Sequence, residues 1–98
     1  MAQLRTAPAV ADDFDRVFDH LAATDPASAA RRIDDILRAI EILKTSPLIG
    51  RPVAGGKREL VIGRGSRGYV ALYVDVEPAD TVFVLALRGQ REAGFRHD

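Results

Sequence analysis

Eight of the fourteen lysines and arginines in this 98-residue sequence lie in its second half, and their spacing is the first sign of chemistry. Between residues 51 and 74, Arg51, Lys57, Arg58, Arg64 and Arg67 stand against Glu59 alone; between 88 and 97, Arg88, Arg91 and Arg96 stand against Glu92. Segregated cations attract an anionic partner, either nucleic acid or an acidic protein segment, and they equally suit solvated strand edges and loops. Metal-free RNA cleavage would use such cations to offset charge developing on a phosphate. It would also need a base for the ribose 2′-OH and a proton donor for the leaving oxygen. Lys57, Arg58, Arg64, Arg67, Arg88 and Arg91 are the cations expected to gather at one end of a sheet for that purpose.

Groups able to move protons are scarcer. His20 sits beside Asp19, away in sequence from the basic stretches, and reads as a helix-surface residue. His97 is the penultimate residue, where chains fray. The sequence has no cysteine, so thiolate chemistry, thiolate zinc sites and disulfides are excluded, and no His/Asp/Glu set has metal-ligand spacing. Gly63-Arg64-Gly65 has the glycines of a phosphate loop, but no Lys-Ser/Thr or opening helix follows, so a hairpin turn is expected there. No metal and no cofactor is expected.

The elements that would position these residues are legible from periodicity. Ala2 to Thr6 reads as an edge strand. From Pro8, the residues Val10, Phe14, Val17, Phe18 and Leu21 mark one face of a helix, with Asp12, Asp13, Asp15, Arg16 and Asp19 on the other. Pro8 suits a first turn, where its missing N–H costs nothing. Asp25-Pro26 is expected to open a second helix, whose stripe runs through Ala29, Ala30, Ile33, Ile36, Leu37, Ile40 and Leu43. The short link predicts an antiparallel helical hairpin.

Ser46-Pro47-Leu48-Ile49-Gly50-Arg51-Pro52 is dense in helix breakers and ends the second helix. Beyond it, Arg58 to Arg64, Tyr69 to Val76 and Thr81 to Arg88 read as three strands of an antiparallel meander, the last apolar on both faces like a central strand. The predicted fold class is α+β: a single domain over 1–98, in β-α-α-β-β-β order, with the hairpin packed on one face of a mainly antiparallel four-stranded sheet. The apolar run Val82 to Leu87 is far short of a bilayer span, and no signal-like stretch opens the chain, so no membrane partner and a cytoplasmic location are expected.

Several local words in this order resemble the RelE/ParE superfamily of bacterial toxins. Pro8-Ala9-Val10-Ala11-Asp12-Asp13-Phe14 is similar to the family's opening helix. Ser46 to Pro52 resembles its "P-x-x-G-R-P" helix exit, and Arg58-Glu59-Leu60-Val61 its second strand. Gly68-Tyr69-Val70-Ala71-Leu72-Tyr73 resembles its "G-Y-x-x-x-Y" strand, and Arg88-Gly89-Gln90-Arg91-Glu92 its "R-H-Q-R-E" ending.

The resemblance implies the toxin of a type II, plasmid-stabilisation type toxin–antitoxin system, neutralised by a cognate antitoxin and able to form a hetero-oligomer with it. RelE-like members cut messenger RNA on the ribosome; ParE-like members trap DNA gyrase without chemistry of their own. The RelE branch places an arginine after the tyrosine of "G-Y-R", where this sequence has Val70. It offers a catalytic tyrosine near the C-terminus, where this sequence has Phe95. Some nuclease members use Glu and a terminal His instead, for which Glu59 and His97 stand in. The expected function is a ParE-like gyrase inhibitor with no catalytic residue, contacting gyrase and antitoxin through Arg58, Arg64, Arg67, Tyr69, Tyr73, Arg88, Gln90, Arg91 and Phe95. The alternative is a ribosome-dependent endonuclease acting on mRNA through the six cations named first.

Overall fold

The structure, a computed structural model, describes residues 1–92. In chain order it contains β1 (Gln3–Thr6), α1 (Ala9–Thr24), α2 (Ala29–Glu41), β2 (Arg51–Val53), β3 (Lys57–Ile62), β4 (Tyr69–Val76) and β5 (Thr81–Gly89). The strands form one sheet in the order β1-β5-β4-β3-β2, with β1 parallel to β5 and every other pair antiparallel. The α+β architecture expected from the sequence is present, with one more strand. β2 is a three-residue edge strand formed by the exit segment itself, a position that suits Pro52 because an edge does not need its missing N–H.

Both helices pack on one face of this sheet. Val10, Val17 and Leu21 of α1, with Ile36 and Ile40 of α2, meet Ala71 and Tyr73 of β4 and Val82, Val84 and Leu87 of β5 in a common core. Each fully buried aliphatic side chain of this kind contributes about 1.5–3 kcal/mol by leaving water. Three local expectations need correction. Phe18, Ala30 and Leu37 belong to the predicted stripes but are exposed, whereas Asp13, placed on the polar face, is buried at 0% exposure. Helix α2 starts at Ala29, because Asp25 closes α1, its N–H donating to the Leu21 carbonyl while its carboxylate accepts the Ser28 hydroxyl. Strand β3 stops at Ile62, where Gly63 turns the chain with φ +80°. The register of β4 and β5 also shifts once: Leu72 pairs with Ala86 and Tyr73 with Val84, leaving Leu85 as a bulge. The bulge directs both Val84 and Leu87 to the helical face.

The opposite face of the sheet carries Val61, Val70, Leu72, Val74, Val76 and Phe83, and neither helix covers it.

Candidate functional site

The predicted cations do not share one end of the sheet. Arg58 pairs with Tyr73 and Lys57 with Val53, whereas Arg88 pairs with Val70, next to the turn holding Arg64 and Arg67. Strand β3 separates the two groups, and its six residues span roughly 20 Å at about 3.3 Å each. Arg58 donates to the carbonyls of Gly50 at 2.8 Å and Leu48 at 3.3 Å, so it holds the exit loop. Tyr73 is withdrawn from any surface. It is 0% exposed, its hydroxyl donates to the Pro47 carbonyl at 2.8 Å, and it accepts the Gly50 N–H at 2.8 Å. Burial raises the Tyr73 pKa above its ordinary value, outweighing the Gly50 hydrogen bond and the charge of Arg58. Arg58 and Tyr73, both predicted contact residues, therefore build the scaffold.

The remaining cations meet helix side chains at the other end. A cleft of about 950 Å³ opens between α1, the start of α2, the β3–β4 turn and the end of β5. Its walls include Arg16, His20, Arg32, Arg67 and Arg91, with the half-buried Tyr69 beside them and the core residues Val17 and Leu21 at its floor. His20, separated in sequence from the basic stretches, thus shares their cleft. The guanidinium of Arg32 lies 5.7 Å from the Tyr69 ring centroid and donates to the Arg67 carbonyl at 2.7 Å, tying the β3–β4 turn to α2. Burial raises the Tyr69 pKa, and the charge of Arg32 opposes that shift.

The Arg88 to Glu92 ending is folded back against this cleft. Strand β1 pairs with β5 only as far as Val84, and side chains answer the polar groups beyond it. Asp13 accepts the Leu87 N–H at 3.0 Å, Arg16 donates to the Leu87 carbonyl at 3.1 Å, and Glu92 accepts the Gly89 N–H at 2.6 Å. Arg16 joins the two carboxylates, meeting Asp13 at 2.6 Å and both oxygens of Glu92 at 3.1 Å. Burial disfavours the Arg16 charge, but the hydrogen bonds and charges of Glu92 and Asp13 outweigh it and raise its pKa. The Gln90 N–H donates to the Gly68 carbonyl at 2.9 Å, and Arg88 donates to the carbonyls of Gly89 at 3.1 Å and Glu92 at 3.3 Å. Arg88 and Gln90 therefore help shape the turn, while Arg64, Arg67 and Arg91 are exposed. Among the described residues, no group of His, Cys, Asp or Glu is placed to hold a metal ion.

At the positions the resemblance reserves for RNA cleavage, Val70 lies on the face of the sheet opposite the helices and is 0% exposed. Glu59 is engaged by Arg51 at 2.8 Å. Phe95 and His97 lie outside the described residues. No helix among the described residues is long and apolar enough to cross a membrane.

Comparison with known proteins agrees with this architecture. A chain of the chromosomal ParDE system of P. aeruginosa superposes with a TM-score of 0.76 at 24% identity, covering 91% of this chain and 96% of that one. A chain of the intact E. coli RelBE toxin–antitoxin complex gives 0.64 at 17% identity, covering 94% and 99%. A chain of the M. tuberculosis RelBE2 complex gives 0.63 at 19% identity, covering 91% and 98%. No curated protein sequence matches this chain significantly. The family of ParE toxins of the type II toxin–antitoxin system parDE matches residues 4–94, and the chain belongs to that family.

Proposed function

We propose that this chain is a toxin that inhibits DNA gyrase by binding it and that is neutralised by a cognate antitoxin, with no catalytic residue of its own. The observation that carries the choice of gyrase over mRNA is Val70. Where RelE-type cleavage calls for a cation, the chain has an apolar side chain at 0% exposure, beside Val61 and Leu72 and directly across from Arg88, whose charge would repel a second cation. A cation there would have to be buried, and an uncompensated buried charge costs several kcal/mol. The ParE family match points the same way.

The antitoxin follows from the relatives, whose structures are of ParDE and RelBE toxin–antitoxin systems. Arg64, Arg67, Tyr69 and Arg91 are the contact residues proposed for gyrase and antitoxin, because they combine exposure or cleft position with cationic or aromatic chemistry. Co-purification of the chain with the product of the adjacent reading frame tests the antitoxin. For the target, the chain is expressed without antitoxin, and gyrase supercoiling is assayed beside translation-coupled mRNA cleavage. Gyrase-linked DNA breaks with intact mRNA are expected; ribosome-dependent mRNA cleavage with unimpaired supercoiling would overturn gyrase in favour of endonuclease action.

A further inference from the structure

We propose that the cleft between α1 and the end of β5 binds a single-stranded polynucleotide, holding its phosphates with Arg67, Arg91 and Arg32 and stacking a base near Tyr69.

Two of the cleft's arginines, like Arg5, Arg31 and Arg64 elsewhere, spend none of their charge on another described side chain. Arg67 and Arg91 make no side-chain hydrogen bond or ion pair among the described residues, and both are exposed on the cleft wall. Arg32 donates one N–H to the Arg67 carbonyl at 2.7 Å and faces Asp25 at 3.8 Å, so it adds positive charge to the wall and offers a ligand only its remaining N–H groups. The cleft's two carboxylates do not offer a competing site for a cation. Asp25 accepts the Ser28 hydroxyl and faces Arg32, and Glu92 is clasped by Arg16 and the Gly89 N–H. Of Lys and Arg, the wall holds only arginine, whose planar fork matches phosphate oxygens two at a time.

Charge alone would suit an acidic peptide equally well. Tyr69, half-buried in the wall among the arginines, favours nucleic acid. Tyr69 lines the cleft beside the arginines, with Val17 and Leu21 on the facing helix, and Arg32 stands over its ring. A basic groove with an aromatic side chain beside it is the arrangement by which single strands are held, because every base has a π face. Backbone-directed cations and stacking read no base edges, so the binding is expected to be independent of sequence. The cleft is on the helical face of the sheet, opposite the face carrying Val70, and of the six cations named for RNA cleavage it takes in Arg67 and Arg91.

Fluorescence anisotropy with labelled oligo-dT and oligo-U 12-mers, titrated with the full chain at several salt concentrations, tests the proposal. Binding should weaken with salt at a log–log slope of about −0.7 for each phosphate neutralised. Arg67→Ala and Arg91→Ala should each flatten that slope by about 0.7, and Tyr69→Leu should weaken binding about tenfold without changing the slope. Arg5→Glu, an equal or larger charge change outside the cleft, should leave the slope unaltered. Thermal melting of each variant checks folding, and the wild-type slope stands even if one variant fails to fold. Binding of either strand supports the proposal, and the tighter of the two identifies whether DNA or RNA is the source. Three results would overturn it: salt-independent or undetectable binding, equal weakening by Arg5→Glu, or displacement at equal charge concentration by a poly-glutamate peptide. Arg67, Tyr69 and Arg91 are also the contacts proposed for gyrase and antitoxin, and the anisotropy assay contains neither protein, so its outcome is read apart from the supercoiling assay.

Discussion

The carboxylate of Asp13, in the second turn of α1, accepts the backbone N–H of Leu87 in β5 at 3.0 Å, across 74 positions of sequence. With Arg16 and Glu92 it completes the edge of β5 that β1 leaves uncovered beyond Val84. The Arg88 to Glu92 ending is thus held by the first helix, and Glu92 serves the fold by accepting from Arg16 and from the Gly89 N–H.

Replacing Asp13 by alanine removes the acceptor for a buried N–H and the closest partner of Arg16. The expected loss is about 2–4 kcal/mol of unfolding free energy, read by urea denaturation, because an unsatisfied buried donor costs about 1–3 kcal/mol before the ion pair is counted. A loss below about 0.5 kcal/mol would refute this role.

Arg16 and Glu92 should be energetically coupled. Their side chains are 24% and 30% exposed, so solvent weakens the pair, and a double-mutant cycle with Arg16→Ala and Glu92→Ala should give about 1 kcal/mol. Additive single-mutant effects in thermal melting would show that the clasp is dispensable.

Gly50 lies against the Tyr73 ring. A Cβ there would sit 2.7 Å from the Glu59 carbonyl oxygen and 2.7 Å from two atoms of Tyr73, with backbone on one side and a buried ring on the other. Gly50→Ala should therefore destabilise by about 2 kcal/mol or more, in the range of overpacked cores. Chemical denaturation measures it, and a neutral result would mean that the exit loop repacks freely.

Stability should fall in alkaline solution. Burial raises the Tyr73 and Tyr69 pKa values above the ordinary 10.0, so the native state holds their protons more tightly than the unfolded chain does. That contribution is complete below about pH 10 and is lost as pH rises through the folded values. Urea midpoints measured from pH 8 to 11.5 should decline above pH 10, and Tyr73→Phe should shallow the decline even though it lowers stability at every pH. An unchanged decline in that variant would assign it to other groups.

Much of the architecture was readable because its signals are local. Helical spacing in Val10 to Leu21 and Ala29 to Leu43, the breakers from Ser46 to Pro52, and the turn residues around Gly63 and Pro78 lie within windows of a few residues, and each produced an element or boundary near the expected place. The site was less readable. Cations close in sequence, Arg58 and Arg64, were separated by the length of β3, while His20 and Arg91, distant in sequence, came to line one cleft.

By itself the sequence determined the helical hairpin, the β meander and the family words, since periodicity and turn chemistry depend on neighbouring residues. Only the tertiary structure decided which polar residues are structural. Asp13 looked like one more acid on a solvated face, and Glu92 like part of a contact motif, until the short reach of β1 and the bulge at Leu85 left an edge of β5 for them to close. Tyr73 and Arg58 moved from surface to scaffold for a similar reason: buried backbone groups in a distant loop needed partners, and unsatisfied groups are expensive enough to claim the nearest side chains able to provide them.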